Sequence, residues 1–264
     1  MNPKSIKFNG LKEFIEIIQD FPNHEWLFRG QPRLFKNGGQ QGAMVLPQPK
    51  AGRKEYFLDK RDYDLDRFKR WSHQAIAFFP ELPTNDFERL ACARHYGLAT
   101  RLLDWTLNAA VALFFATETA PSSASQKDDG GVFIYRRPSR QIELVKDKLG
   151  ESSAVMFYAP RPIVPRIMAQ DGVFTIHPHP LTPLEARFLR GKQKHNRTEK
   201  DLIVLQIPAS KKRNFQEDLR GIGILGRSVY PDLEGLSDSI NLVTNWKAHP
   251  RKQERQPPLE SEVD

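Results

Sequence analysis

Cysteine is almost absent from this sequence. Cys92 is the one cysteine among 264 residues, which excludes an internal disulfide framework and a cysteine-rich zinc site. It lies in an apolar helical pattern, so we expect a buried and unreactive thiol. A chain of this length can bury a sizeable hydrophobic core without cross-links.

The signature motifs of several enzyme classes are also missing. The chain has no Gly-x-Ser-x-Gly elbow, HExxH helix, EF-hand loop or Walker motif, and no internal repeat. GGQQG at residues 38–42 lacks the lysine and the hydroxyl residue of a phosphate-binding loop. His177 and His179 have a spacing that suits metal ligation, but no acidic or cysteine partner is near, so no metal site is predicted.

Long hydrophobic runs are lacking as well. No run approaches membrane-spanning length, and the first residues, MNPKSIKFNG, contain no hydrophobic signal region, so we expect a cytoplasmic protein with no membrane partner. The net charge of +8 makes nucleic acid, nucleotides and other polyanions admissible partners. Motifs spread along the chain favour one domain over residues 1–246, followed by a flexible tail at 247–264.

The stretch HYGLATRLLDWTLNAAVALFFA, residues 95–116, organises the rest of the sequence. Asn85, with Glu88 three residues later, predicts a capped helix that Gly97 ends. Residues 100–105 then predict a short strand, which leads into a second helix. That helix, at residues 109–117 with Asn108 as its cap, is almost wholly apolar and must be buried.

Charged and polar side chains lie between these two buried elements. Arg101 and Asp104 could form a structural ion pair, with His95 as a satisfied histidine at the helix end. Alternatively, the strand-to-helix junction presents backbone amides and a helix N-terminus to an anionic ligand such as a phosphate.

An arginine also ends the first apolar strand. Residues 26–29 predict this strand, and Gly30 lets the backbone turn sharply or a ligand approach closely. Arg29 in this position suits bidentate binding of phosphate or carboxylate. The alternative is a structural pair with a core carboxylate, of which Asp104 is the candidate.

Periodicity along the rest of the chain indicates an α+β fold, a small irregular mixed sheet core surrounded by helices, with an irregular α/β sheet as the alternative. Helices are expected at residues 11–21, within 54–79, at 140–148, at 210–219 with Ser210 as cap, and from residue 231, where Leu233, Leu236 and Ile240 face inward. Strands are expected at 132–135, 173–176 and 203–207, and the basic stretch 185–200 is expected to be an exposed loop or ragged helix.

Three segments together resemble the FRG domain, which is named for a Phe-Arg-Gly triplet. They are WLFRGQ at residues 26–31, ARHYGLATRLLDWTLNAAVALFFA at 93–116 and LRGIGILGRSVYPDLEGLSDSI at 219–240. The triplet here is Phe28, Arg29 and Gly30. The resemblance runs from about the first helix to Ile240, and it implies a setting in bacterial toxicity or antiphage defence.

A weaker resemblance is to ADP-ribosyltransferases. These enzymes carry an arginine and a glycine on a first strand, then a strand with Ser or Thr leading into an apolar helix, then a glutamate on a later strand. Arg29 and Gly30 are similar to the first element, and Thr106 with the helix after it is similar to the second. Gln170, beside Asp171, stands where the glutamate is expected. A glutamine cannot take a proton as a carboxylate does.

The second resemblance implies NAD as cosubstrate and assigns roles to the matching residues. Arg29 would hold the diphosphate or a ribose hydroxyl, and Thr106 would position the nicotinamide ribose. His95 or Tyr96 would flank the nicotinamide, and Asp104 would orient Arg29 or Arg101. The implied catalytic residues are Arg29, Thr106 and Gln170; the implied cofactor-binding residues are Arg29, Gly30, His95, Tyr96, Arg101 and Asp104.

The acceptor is left open by the sequence, since nucleic acid, a protein side chain and water are all compatible with it. The chief alternative is a non-catalytic module that binds a nucleotide-like ligand or nucleic acid through Arg29, Arg101 and the basic residues at 192–200 and 211–213. A third interpretation is an interaction module whose polar residues are architectural. The enzyme hypothesis predicts that Arg29, Thr106 and Gln170 converge in one pocket, whereas nucleic-acid binding predicts a continuous basic surface.

Overall fold

A computed structural model describes residues 3–35, 42–56, 62–118, 128–184 and 201–248. Within these residues seven strands form one open sheet. The strands are β1 (Lys4–Lys7), β2 (Trp26–Gln31), β3 (Leu102–Thr106), β4 (Gly130–Arg136), β5 (Met156–Tyr158), β6 (Gly172–Ile176) and β7 (Leu202–Ile207). The helices are α1 (Leu11–Ile18), α2 (Tyr63–Ala75), α3 (Asp86–His95), α4 (Ala109–Thr117), α5 (Pro165–Ala169), α6 (Lys212–Gly221), α7 (Gly226–Val229) and α8 (Leu233–Ala248).

The sheet is mixed, and its spatial order is β1-β7-β4-β2-β3-β6-β5. Its parallel pair is β1 with β7 at one edge, and every other neighbouring pair in the described sheet is antiparallel. Helices are not interleaved regularly with parallel strands, as they are in a doubly wound α/β sheet. The predicted α+β fold is therefore confirmed.

Apolar side chains cover both faces of the sheet. One face packs against α1, α4 and α6, and its core contains Phe14, Phe28, Leu113 and Phe215. The other face is covered largely by loop residues such as Leu34 and Leu184, while α2 and α3 enclose a third cluster near β5 and β6. The almost wholly apolar α4 is buried because it contacts both β2 and α6.

The predicted helix ends around the central stretch are confirmed. The Asn85 side chain accepts a hydrogen bond from the Phe87 amide, and the Asn108 side chain accepts from Ala110 and Val111. Gly97 has a φ of +89°, which a glycine adopts without strain. The amides of Gly97 and Leu98 bond to the carbonyls of Arg94 and Ala93, a pairing that ends α3 as a Schellman motif.

Several local predictions differ from the structure. Glu88 binds Arg161 instead of completing the capping box, and residues 143–147 form a hydrogen-bonded turn where a helix was expected. Ser210 lies in a short 3₁₀ turn at Ala209–Lys211 and does not cap α6. The strands β1 and β5 were not predicted, because their sequences carry no strong alternating pattern. Each is short and forms by pairing with a longer neighbouring strand, β1 with β7 and β5 with β6.

The apolar positions of α8 do not face inward as predicted. Leu233, Leu236 and Ile240 are exposed. The face that packs against α7 instead carries the small residues Gly235 and Ser239. The two helices lie close together, and the Ser239 hydroxyl accepts a hydrogen bond from the Arg227 amide. The tail beyond residue 248 and the basic stretch 185–200 lie outside the described residues.

Two further findings concern metal and membrane. Among the described residues, no cluster of three or more His, Cys, Asp or Glu side chains could hold a metal ion, and no helix is long and apolar enough to cross a membrane. His177 is buried with its Nε2 atom 2.9 Å from the Thr175 hydroxyl, whereas His179 is exposed. Burial lowers the pKa of His177 to about 3, so its imidazole is neutral at physiological pH.

Candidate functional site

The sheet is split between β2 and β3. These strands share one paired position, Phe28 with Thr106, whereas β3 and β6 pair along their whole length. Beyond Phe28 the next side chain, Arg29, crosses the split, and its Nη1 atom donates to the backbone carbonyl of Asp104 at 2.8 Å. We call this feature the β2–β3 split. It leaves room between two central strands, where a regular sheet would have none.

A cavity of about 330 Å³ lies at the β2–β3 split. Residues from β2, β3 and β6 line it, and the helices α3, α4 and α5 supply its walls. Six residues that the sequence singled out line this one cavity: Arg29, Gly30, His95, Asp104, Thr106 and Gln170. The two others, Tyr96 and Arg101, do not line it.

Arg29 presents an unused hydrogen-bond donor inside the site. Its side chain is largely buried, and its Nη1 atom lies 3.5 Å from the Asp104 carboxylate. The Nε atom is buried and has no hydrogen-bond partner. Burial lowers the pKa of Arg29 to about 10, so the guanidinium remains charged at neutral pH. A guanidinium group that lines a cavity is well suited to bind a phosphate or a carboxylate of a ligand.

Asp104 holds two arginines at the cavity. One oxygen of its carboxylate accepts from Arg94 Nη2 at 2.6 Å and from Arg94 Nε at 3.2 Å. Burial opposes ionisation of this carboxyl, but Arg94 and Arg29 outweigh burial and hold the pKa of Asp104 below its ordinary value. Asp104 therefore carries a full negative charge, which fixes the positions of both guanidinium groups.

A third arginine reaches the cavity from α5. Arg166 forms a salt bridge with Asp232 at 2.8 Å, and its guanidinium lies 4.7 Å from the centre of the Tyr230 ring. Its Nε atom is also buried without a partner. Burial and Arg166 lower the pKa of His95, despite Asp232 nearby. Three guanidinium groups therefore line the cavity, and the carboxylates of Asp104 and Asp232 balance two of their charges.

Thr106 and Gln170 join the strands at the wall of the cavity. The Thr106 hydroxyl donates to the Gln170 carbonyl at 2.6 Å and accepts from the Asn108 amide at 2.9 Å. The Gln170 side chain donates to the Val229 carbonyl at 3.2 Å, which ties α5 to the end of α7. The Thr106 hydroxyl thus has defined partners within the fold, and it positions the junction between β3 and α4.

Replacement of Thr106 by Val should loosen this wall. The substitution keeps the shape of the side chain but leaves the Gln170 carbonyl and the Asn108 amide short of a partner, at an expected cost of about 1–3 kcal/mol in the free energy of unfolding. Urea unfolding measures this difference. The control, Thr106→Ser, keeps the hydroxyl and should cost less. Equal losses in the two variants would contradict the assigned hydrogen bonds.

Arg101 has a structural position away from the cavity. Its side chain is 2% exposed, and its Nε and Nη2 atoms each lie 2.8 Å from a carboxylate oxygen of Asp64. Asp62 accepts a further bond at 2.9 Å. The alternative ion pair between Arg101 and Asp104 is therefore wrong, because the partners of Arg101 come from the start of α2. Tyr96 is exposed, and its ring contacts the edge of His95.

The polar lining residues that the sequence did not single out include Arg94, Arg166 and Tyr230. Arg94 had a usable signal, since it precedes His95 in the last turn of the predicted helix. Arg166 lies close to Gln170 in the chain and Tyr230 lies in the FRG-like segment 219–240, but no pattern distinguished either residue, because α5 and the end of α7 reach the cavity only through tertiary packing. Among the basic residues proposed for nucleic acid, Lys212 is buried with its Nζ bonded to the Pro32 carbonyl, whereas residues 192–200 lie outside the described part of the chain.

Comparison with known proteins identifies one domain. The family model of the FRG domain matches residues 24–125, a shorter stretch than the resemblance that the sequence indicated up to Ile240. No curated protein and no solved structure matches the chain. The matched residues include β2, α3, β3 and α4, and with them Arg29, Arg94 and Asp104 of the cavity. Residues 24–125 therefore match the FRG domain, and the β2–β3 split with Arg29 and Arg94 lies within this match.

Proposed function

We propose that the cavity binds a phosphate-bearing nucleotide and that this ligand is NAD. The observation that carries the proposal is the convergence of three guanidinium groups, two of which keep a buried Nε–H without a partner. An unsatisfied buried donor costs about 1–3 kcal/mol, and the cost is larger for a charged group. Oxygens of a pyrophosphate would match the planar geometry of the guanidinium groups that line the cavity.

The remaining walls suit the uncharged parts of a nucleotide. Trp105, Phe115, Phe174 and Tyr230 line the cavity beside the arginines. Binding sites for small molecules are typically about 300–1,000 Å³, apolar in most of their lining, with a few convergent polar groups. A cavity of about 330 Å³ accommodates a nucleotide-sized part of a dinucleotide, while the other part extends through the mouth.

A chemical step on NAD is a second proposal, supported by a specific arrangement. Arg29, Thr106 and Gln170 meet in one cavity, as the ADP-ribosyltransferase resemblance requires. Asp104 carries the one carboxylate among the described lining residues, and it is already bound to Arg94. Cleavage of the bond to nicotinamide would therefore depend on positioning and on the electrostatics of the site. Transfer to an acceptor, or to water, would fit a role in bacterial toxicity or antiphage defence.

Arg29→Met should separate ligand binding from stability. NAD at about 100 times its Kd should stabilise the wild type by roughly 2.7 kcal/mol and raise its Tm. The variant should lose this shift, together with any nicotinamide release. Its stability without NAD should remain within about 1 kcal/mol of wild type or increase, because a desolvated guanidinium is removed while Asp104 keeps Arg94.

The matched control is Arg140→Met, which removes an exposed arginine outside the cavity and should keep the response to NAD. If neither NAD nor ADP-ribose raises the Tm of the wild type, NAD binding is wrong. Binding of DNA or RNA that weakens steeply with salt would then support the nucleic-acid alternative. A Tm shift without nicotinamide release under any condition would leave a binding module and remove the enzyme proposal.

A further inference from the structure

A tyrosine and a glutamate form a hydrogen-bonded pair at the edge of the cavity. Tyr230 directly follows α7 and lines the cavity, and Glu118 directly follows α4. The Tyr230 hydroxyl lies 3.1 Å and 3.2 Å from the two carboxylate oxygens of Glu118. The phenol hydrogen is thus shared with a carboxylate, while the phenol oxygen keeps a lone pair for another donor.

The Tyr230 ring is held in place from several sides. Phe114 and Phe115 contact it in edge-on arrangements, with ring centres 6.2 Å and 5.9 Å away. Arg166 lies over its face at 4.7 Å. Two aromatic side chains and a cation therefore fix the orientation of the hydroxyl, as a group that transfers a proton requires.

Glu118 occupies an unfavourable position for an ionised carboxylate. It lies at the C-terminal end of α4, where the backbone carbonyls repel a negative charge. In the described part of the chain it forms no salt bridge with an arginine or a lysine. Burial and the nearby Asp238 raise the pKa of Glu118, although the hydrogen bond from Tyr230 and the charge of Arg166 oppose the rise. Glu118 is consequently a stronger base than an ordinary glutamate.

Tyr230 has the opposite character. Burial and Glu118 raise the pKa of its hydroxyl, so the phenol stays protonated at neutral pH. It cannot serve as the resident base itself, but it can pass a proton from the cavity to the carboxylate behind it. The geometry therefore assigns the two residues different tasks: Tyr230 touches the ligand space, and Glu118 acts through Tyr230.

We infer that Tyr230 and Glu118 accept the proton of the group that attacks NAD, and that this acceptor is water or a hydroxyl group. The inference rests on the proposed NAD cleavage. The acceptor oxygen bonds to C1′ of the nicotinamide ribose, and the bond from C1′ to the nicotinamide nitrogen breaks with its electron pair on nitrogen. The acceptor proton passes to the Tyr230 oxygen as the Tyr230 proton passes to Glu118. Nicotinamide leaves uncharged, and Glu118 becomes neutral.

The pair can be tested with two nearly isosteric variants, Tyr230→Phe and Glu118→Gln. Each should lower the rate of nicotinamide release at saturating NAD by about 10²- to 10⁴-fold, as expected for loss of a proton-transfer group. The Tm shift caused by NAD should persist in both, because the arginines are untouched. The wild-type rate should fall as the pH drops through the raised pKa of Glu118, whereas the Glu118→Gln rate should lack this acid limb.

The control is Tyr63→Phe, which removes a hydroxyl group on α2 that accepts from Arg70 outside the cavity lining, and it should keep the wild-type rate. Glu118→Gln should fold, because a glutamate with a raised pKa opposes folding once it is ionised. Compared with the wild type at the same pH, the variant should therefore be more stable at neutral pH than at acidic pH. A purely structural pair would lower the Tm without altering the pH profile.

The possible failures are distinguishable. Variants that keep the wild-type rate and pH profile would overturn the proton-transfer pair alone. A wild type that binds NAD but never releases nicotinamide would overturn the pair and the cleavage step while leaving ligand binding intact. A wild type without any Tm shift would overturn the proposed function as well.

Discussion

Gly30→Ala should destabilise the domain by more than about 4 kcal/mol and leave little folded protein at 37 °C. A Cβ atom at this position would lie 2.0 Å from the Ala112 carbonyl oxygen, 2.5 Å from the Ala116 nitrogen and 2.7 Å from the Phe115 Cβ. Two of these atoms belong to the backbone of the buried helix α4, which cannot move aside without leaving β2. Circular dichroism and urea unfolding would measure the loss.

The matched control for this substitution is Gly221→Ala. Gly221 ends α6, and a Cβ atom there would meet nothing within 4 Å. Its variant should have wild-type stability or gain a few tenths of a kcal/mol, because alanine loses less backbone entropy on folding. Similar stabilities for the Gly30 and Gly221 variants would show that α4 does not press on β2.

Of the two reasons that the sequence suggested for Gly30, a sharp turn of the backbone is wrong, whereas close approach of a ligand stays a prediction. It lies inside β2, paired with Val132 of β4, and the chain does not turn there. The close approach at this residue is made by α4. Because glycine has no Cβ atom, the apolar helix can lie against the strand that carries Arg29. Gly30 also lines the cavity.

Asp64→Ala should cost about 3–5 kcal/mol, the second large effect we expect. The substitution removes the bidentate partner of Arg101, whose guanidinium is almost fully buried. A buried charge without its partner is strongly destabilising, since water cannot replace the lost hydrogen bonds. Urea unfolding should show a lower midpoint with a similar slope.

Two companion variants sharpen this test. Asp62→Ala removes the partner that is 45% exposed and should cost less than Asp64→Ala, with up to about 1 kcal/mol from the ion pair and about 1–2 kcal/mol from placing alanine at a φ of 59°. The double variant Asp64→Leu with Arg101→Met replaces the buried ion pair by apolar side chains and should recover much of the stability. If Asp64→Ala costs no more than Asp62→Ala, Arg101 is not held by the buried carboxylate.

Arg29 and Arg101 show how one residue type serves two purposes in this fold. Both are largely buried arginines in or beside short central strands, but their hydrogen bonding differs. Arg101 donates to two carboxylates in a closed environment. Arg29 makes one short bond to a backbone carbonyl and leaves its Nε–H without a partner at the edge of a cavity. Arg29, which lines the cavity, is therefore the arginine that we propose binds the ligand.

The sequence by itself determined the local structure around the central stretch. Asn85, Gly97 and Asn108 set helix ends through hydrogen bonds to amides or carbonyls a few residues away, so their pattern could be interpreted without the rest of the chain. Apolar runs likewise indicated β4, β6 and β7 to within one or two residues. The FRG resemblance was also local, since it depended on short contiguous motifs.

Only the tertiary structure decided which charged groups meet. Asp104 binds Arg94 of α3 and Arg29 of β2 because both elements lie next to it in the fold. Arg101, which directly precedes β3, binds Asp64 because α2 covers that end of the strand. The outward stripe of α8, the β2–β3 split and the contact of Tyr230 with Glu118 have the same origin. Each depends on elements distant in the chain, and partner choice between such elements follows from packing of the whole core, which no local pattern of residues records.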